Sequence, residues 1–310
     1  MRKLLLLLFL FAYLFPKAQD TTILLENQSV TLPEVMVYDN LDYVTILNKI
    51  KNDTSFYKAF RNLRVVAFKS YNNITMHDKK GKVVASWNSE TAQRRENGCR
   101  YTEVLSEKTT GDYFDKNGDP NYITGQMYAS LFLTKGKVCG ENNIVSGHEF
   151  STAGKSGMEK HKEQLKMLFF NPGKKIPGIP FIGNKLDLYD EDAHKLYNYK
   201  LDFIDYKGGY AYVFTITPKP DLGIFARNNI VVDEMTTWFD NQTFEVLARN
   251  YSLSYKAGVY DFDVKMQVEM TRAGNLLVPK ILRYKGNFSA LFKKREIGEF
   301  TATLFDFMKE

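Results

Sequence analysis

The segment VYDFDVKMQVEM, residues 259–270, alternates more strictly than any other stretch of the chain. Tyr260, Phe262, Val264, Met266, Val268 and Met270 fall on one side, with Asp261, Asp263, Lys265, Gln267 and Glu269 on the other. Successive side chains of a β-strand point to opposite faces, so a period of two specifies a strand with one apolar and one polar face. At roughly 3.3 Å per residue this strand spans about 40 Å, well beyond the usual length, which calls for a large, curved sheet.

The neighbouring sequence extends the pattern in both directions. Downstream, GNLLVPKILRYKGNF and GEFTATLFDF read as strands, and Pro279, which cannot donate to a ladder, is expected at an edge or a bulge. Upstream, Tyr197, Tyr199, Leu201 and Phe203 share a face opposite Asn198, Lys200 and Asp202; KGG then turns the chain and YAYVFTITP runs back. NNIVVD, TTWFD and, after a turn at NQ, TFEVLARNYSLSY supply further strands of an antiparallel meander.

The N-terminal half changes period. Between Tyr43 and Phe60 the residues Val44, Leu47, Ile50, Phe56 and Phe60 lie near helical spacing, which predicts one amphipathic helix or two short ones. NLRVVAFKSY, NITMHDKKGKVVASW and CRYTEVLSEK read as strands, with DKKGK as a hairpin turn. Residues from about 112 to 156, rich in Gly and Asn, read as less regular. A second helix carries Met158, His161, Leu165, Leu168 and Phe169 on one side and stops at Asn171, Pro172 and Gly173. The prolines and glycines of NPGKKIPGIPFIGNK, residues 171–185, make it an ordered connection between halves. The expected class is α+β, a curved antiparallel sheet laid around two or more amphipathic helices.

Arg2 and Lys3 precede an apolar run from Leu4 to Phe15, followed by a short polar stretch with Ala18, the layout of a secretory signal peptide. The run is shorter than the roughly 20 residues of a spanning helix. The expected organisation is a signal peptide at 1–18, a short N-terminal β segment at 19–41 with strand-like runs at Ile23–Leu25 and Val35–Tyr38, and one domain at 42–310. Without Arg2, Lys3 and Lys17 the formal charge drops from +6 to +3. That charge, with no basic stripe interleaved with aromatics, argues against nucleic acid as a partner.

Cys99 and Cys139 are the two cysteines. In an oxidising compartment they either form one bridge or stand as unrelated thiols, and sequence leaves both readings open. FDKNGDPNYITGQ begins like a calcium loop, but Pro120 replaces the turn glycine and Gln126 the terminal carboxylate, so it reads as a surface turn. TAGKSG lacks the first glycine of a phosphate loop, since Glu149 stands there. The four histidines, His77, His148, His161 and His194, show no metal-ligand spacing, and no GxSxG elbow is present. No cofactor, metal site or catalytic residue is expected.

LYNYKLDFIDYKGGYAYVFTITPKP, NNIVVDEMTTWFDNQTFEVLARNYSLSY and GNLLVPKILRYKG together resemble the LolA/LolB-like half-barrel superfamily, through a D-x-x-T turn at DNQT (240–243) and a G-x-x-x-x-P segment at GNLLVP (274–279). The chain is also similar to the periplasmic module of large Gram-negative outer-membrane proteins, and VTLPEVMVYDN resembles the last strand of their regulatory-like domain. The resemblance implies a half β-barrel curved around helices, with an apolar cavity for lipid or lipoprotein acyl chains and a place in the periplasm or at the periplasmic face of the outer membrane.

The apolar face of 259–270 then has three readings: a core covered by helices, a cavity lined by Tyr197, Tyr199, Leu201, Phe203, Tyr260, Phe262, Val264, Met266, Val268 and Met270, or the lipid-facing side of an outer-membrane barrel. Helical segments, the polar interval from 105 to 160 and the charged terminal MKE stand against the barrel. The sequence therefore leads to an exported, non-enzymatic envelope protein whose partners are a lipid or acyl chain or an outer-membrane protein. The rival is a structural or interaction module with no ligand cavity.

Overall fold

Strand β11 (Tyr260–Ala273), the element read first in the sequence, lies inside an eleven-stranded sheet whose pairings are all antiparallel. The computed structural model describes residues 21–25, 28–32, 43–145, 154, 157–170, 173–175, 183–257, 260–290 and 295–309. The leader at 1–18, the run Val35–Tyr38 and most of the connection at 171–185 lie outside the described residues.

In chain order the elements begin with a separate hairpin, β1 (Thr21–Leu25) and β2 (Gln28–Leu32), followed by α1 (Tyr43–Lys51) and α2 (Ser55–Asn62). A first group of strands follows: β3 (Val66–His77), β4 (Val83–Glu96), β5 (Cys99–Thr110), and, after α3 (Ile123–Phe132), the short β6 (Val138–Cys139). Beyond α4 (Gly157–Phe170) and α5 (Ala193–Leu196) come β7 (Tyr197–Tyr206), β8 (Gly209–Pro218), the short α6 (Ile224–Arg227), β9 (Val232–Asp240) and β10 (Val246–Ala257). β11, β12 (Leu276–Ala290) and β13 (Glu296–Lys309) complete the chain. The spatial order is β6-β5-β4-β3-β13-β12-β11-β10-β9-β8-β7, so the C-terminal meander joins the N-terminal group through the β13–β3 pairing. The sheet is open, with β6 and β7 as its edges.

The turns follow from their residues. Asp78 Oδ1 accepts from the backbone N–H groups of Lys80 (2.8 Å) and Lys82 (2.9 Å), closing the DKKGK hairpin. Asn97 and Gly98 both hold positive φ (53° and 68°), the backbone of a two-residue hairpin between β4 and β5. In DNQT, Asp240 Oδ1 accepts from Gln242 N (3.0 Å), Thr243 N (2.7 Å) and Thr243 Oγ1 (3.0 Å). Those donors hold the Asp240 carboxyl below its usual range despite partial burial, which acts the other way.

The helical stretch at 43–60 is two helices. Asp53 Oδ1 takes Ser55 N (2.9 Å) and Ser55 Oγ (2.6 Å), stopping α1 and starting α2. Ser55 Oγ in turn accepts from Val246 N (2.8 Å), fastening the start of α2 to β10.

Four features differ from the sequence expectation or narrow it. NNIVVD and TTWFD are not two strands; their strand residues form the single β9. NLRVVAFKSY and the following NITMH likewise run together as β3. Residues 112–156 are not irregular throughout, because α3 lies within them. Pro279 is in the body of the sheet yet at a bulge: Glu269 faces Ile281 and Met270 faces Pro279, leaving Lys280 as the extra residue. β13 pairs with β12 only from Ile281 onward, so Pro279 has a paired strand on one side alone.

Candidate functional site

The site is built from the strand register. Across nine strands, from β7 to β4, Tyr199, Ile216, Met235, Tyr251, Met266, Tyr284, Phe300, Ile74 and Trp87 stand opposite one another. All nine are at most 6% exposed. They form a continuous apolar band on one face, joined in a single core with residues of α1 to α4. Tyr284 and Phe300 stack at 4.9 Å, and Tyr128 of α3 meets Phe300 edge-on at 5.2 Å. Tyr251 donates its hydroxyl to the carbonyl of Phe169 in α4 at 3.3 Å. Burial drives the Tyr251 and Tyr284 hydroxyls well above the ordinary tyrosine range, which keeps them neutral.

One pleat along, the row Leu201, Phe214, Thr237, Arg249, Val268, Leu282, Ala302, Asn72, Ser89 is interrupted by polar side chains. Arg249 gives Nε to Thr237 Oγ1 (3.1 Å), pairs with Asp53 (3.5 Å) and lies 4.4 Å over the Phe56 ring. It therefore ties the α1–α2 break to the sheet. At the other end, Asn72 donates to Ser89 Oγ (2.9 Å), while its carbonyl oxygen accepts from Ser70 Oγ (2.7 Å) and from the Tyr128 hydroxyl. These buried groups satisfy one another, as a buried network must.

Helix α3 is positioned by residues distant in sequence. The Glu296 carboxylate of β13 accepts from Ile123 N (2.9 Å) and Thr124 N (2.6 Å), capping the helix at the end where a negative charge is favourable. Gly125 lets the helix close on Tyr113, because a Cβ there would sit 2.6 Å from the Tyr113 hydroxyl.

The residues expected to line a cavity are distributed as follows. Tyr199 and Met266 lie in the apolar band, Leu201 and Val268 in the adjoining row, and Val264 faces Gly286 on the far side. Tyr197 and Tyr199 are buried and use their hydroxyls locally: Val231 N and Val232 N donate to Tyr197 (3.3 Å each), and Tyr199 donates to Leu188 O (2.6 Å). Met270 packs opposite Pro279. Phe203 is half-buried against Tyr210 and Tyr212, at 5.3 and 5.1 Å. Phe262, also half-buried, lines an open cavity of about 620 Å³ with Tyr255, Ile230, Lys185 and Lys256. The side chain of Tyr260 lies outside the described residues.

Other concavities lie on the same sheet. A groove of about 720 Å³ crosses the opposite, polar face, where Lys265, Gln267, Arg283, Lys285 and Glu299 project. A cleft of about 290 Å³ opens between α2, α3, α4 and β5, with Phe60, Leu131 and Phe170 beside Arg61, Arg64, Arg100 and Lys166. No contiguous stretch of sequence marks this cleft. The three-residue spacing of Arg61 and Arg64 was its only local signal, and the partner side chains come from three other elements.

Cys99 and Cys139 face each other in the β5–β6 pair and form a disulfide across a separation of 40 residues. Closing a loop of that size is worth roughly 3 to 4 kcal/mol in the chain-entropy model, and it secures the two-residue edge strand β6. The FDKNGDP segment is a turn in which Asp115 Oδ1 accepts from Asn117 N (2.8 Å) and Asp119 N (2.9 Å). Among the described residues no group of three or more His, Cys, Asp or Glu is arranged to hold a metal ion, and no helix is long and apolar enough to cross a membrane.

No protein-family description and no curated protein matches the sequence. Solved structures do match. A DUF1329 family protein from Desulfovibrio piger shares 13% identity, with 82% of this chain and 92% of that one covered and a TM-score of 0.25. A putative outer membrane lipoprotein-sorting protein domain from Vibrio parahaemolyticus shares 8%, covering 82% and 93%, with a TM-score of 0.27. A LolA superfamily protein from Nitrosomonas europaea shares 8%, covering 83% and 92%, with a TM-score of 0.23. Identities and TM-scores this low carry no function across, and the function is argued from the site itself.

Proposed function

We propose that this protein is exported, catalyses no reaction, and holds an apolar ligand, a lipid or a lipoprotein acyl chain, between the helices and the helix-covered face of its sheet. The observation that carries the reading is the apolar band of nine cross-strand neighbours. Met235 and Met266 lie near its centre, where unbranched thioether side chains can re-pack around an inserted chain. The helices that cover the band are tied to the sheet by polar contacts at Asp53–Arg249, Ser55–Val246, Glu296–α3, Tyr128–Asn72 and Tyr251–Phe169, and the apolar packing between those points is what an inserted chain replaces. The leader expected at 1–18 directs such a protein to the envelope, and a curved half-barrel around the helices, in the periplasm or facing the outer membrane, suits this role.

One observation favours a second reading. Every member of the band is already packed, so a module that only scaffolds or binds an outer-membrane partner needs no further change in shape. Native mass spectra of the chain from Gln19, produced in a Gram-negative envelope and recorded before and after organic extraction, separate the two. A discrete added mass that extracts as lipid supports the carrier. A bare chain at the calculated mass, which also fails to take up a fluorescent fatty acid, overturns it in favour of the scaffold.

A further inference from the structure

The cleft between α2, α3, α4 and β5 combines two chemistries. Its apolar wall is Phe60 and Phe170, whose rings meet edge-on at 5.0 Å, together with Leu131. Its rim carries the cations Arg61, Arg64, Arg100 and Lys166. Among the described residues two carboxylates pair with them: Glu141 with Arg64 (3.1 Å) and Arg100 (2.5 Å), and Glu163 with Lys166 (3.2 Å). Positive charge is therefore in excess.

Arg61 carries most of that excess: its charge acts on Glu141 from a distance, but no carboxylate among the described residues pairs with it. Its Nη2 donates to the Asn142 carbonyl (3.0 Å) and reaches Asn142 Oδ1 (3.4 Å), both neutral oxygens. Its buried Nε has no acceptor among the described residues. The crowding registers on the neighbours: burial first, and then the charge of Arg61, hold Arg64 below the ordinary arginine range, and the same two causes lower Lys58. A buried donor without an acceptor and cations that repel one another both mark a place where an anion lowers the free energy. Arginine forks match the paired oxygens of a carboxylate or phosphate. At about 290 Å³ the cleft sits at the small end of ligand sites, enough for a charged head and the first part of a chain.

We infer that this cleft binds the head of an anionic amphiphile, with a carboxylate or phosphate against Arg61 and Arg64 and the start of an alkyl chain against Phe60, Leu131 and Phe170. The inference deepens the proposed lipid-binding function and rests on it. The remaining chain runs from the cleft toward the core, to which Phe60 and Phe170 also belong.

The test uses the chain from Gln19 with its disulfide intact and three probes: a dansyl-labelled undecanoic acid, its methyl ester, and inorganic phosphate. The acid is expected to bind at least tenfold tighter than the ester, to weaken with added salt, and to lose at least tenfold in the paired variant Arg61→Gln/Arg64→Gln. Phosphate is expected to displace it only at millimolar concentration. Acid and ester bound equally, by wild type and variant alike, overturns the head-group site and leaves the lipid carrier standing. Phosphate competing as well as the acid overturns the amphiphile in favour of a free-anion site. Neither lipid probe binding, with a bare chain in native spectra, overturns both readings. The acid–ester comparison on the wild-type protein needs no variant to fold.

Discussion

The row through Met266 and the row through Val268 lie one pleat apart on the same face of the sheet, yet the first is apolar across nine strands and the second carries Thr237, Arg249, Asn72 and Ser89. Apolar burial is non-directional, so apart from the Tyr251 hydroxyl on the Phe169 carbonyl of α4 the Met266 row stabilises whatever covers it without fixing where the cover sits. Buried polar groups must find particular partners. Arg249 therefore sets the α1–α2 break through Asp53, and Asn72 sets α3 through the Tyr128 hydroxyl. One row supplies stability and the greasy surface; the other supplies position.

Substitutions in each row separate the two roles. Arg249→Ala leaves the Asp53 carboxylate buried without its partner, and is expected to cost about 3 to 5 kcal/mol in denaturant unfolding. The lower end is favoured because the Lys174 ammonium also acts on Asp53. A loss below about 1 kcal/mol would show that the pair does not anchor the helices. Met266→Ala removes packing from a fully buried site and should cost about 2 to 4 kcal/mol, with the helix positions unchanged in amide-exchange patterns. If it instead releases α1 and α2 to exchange, the division between the rows fails. Smallest is Tyr128→Phe, expected to cost about 1 kcal/mol and to raise exchange in α3 while sparing α2. Equal exchange in both helices would contradict separate anchoring.

Legibility in the sequence follows the same division. The strand at 259–270 could be read because its alternation is local: Val264, Met266, Val268 and Met270 are buried, while Asp263, Lys265 and Gln267 are exposed. The break between α1 and α2 was half-legible, since Asp53 and Ser55 are adjacent signals, but Arg249 is far away in the chain. Helix α3 was not legible. Gly125 reads as a breaker although it serves close packing, and the cap comes from Glu296, more than 170 residues downstream. Asn97 and Gly98, a dipeptide suited to a two-residue hairpin, join β4 to β5, although DKKGK is the only hairpin turn read from the sequence of this region. The bulge at Pro279 was readable as one of two alternatives, and the register with β11 decided between them. The cationic cleft, assembled from α2, α3, α4 and β5, had no contiguous sequence pattern to find.

Whether an apolar chain occupies the helix-covered face of the sheet is decided by photo-crosslinking. The chain from Gln19 would be irradiated with a diazirine-bearing fatty acid, digested, and the labelled residues located by tandem mass spectrometry. Label is expected on Met235, Met266 or Tyr284 and their neighbours on α2 to α4, competed away by unlabelled fatty acid. Label confined to Lys265, Gln267, Arg283 and Lys285 on the polar face, or no more label than on denatured chain, would contradict it.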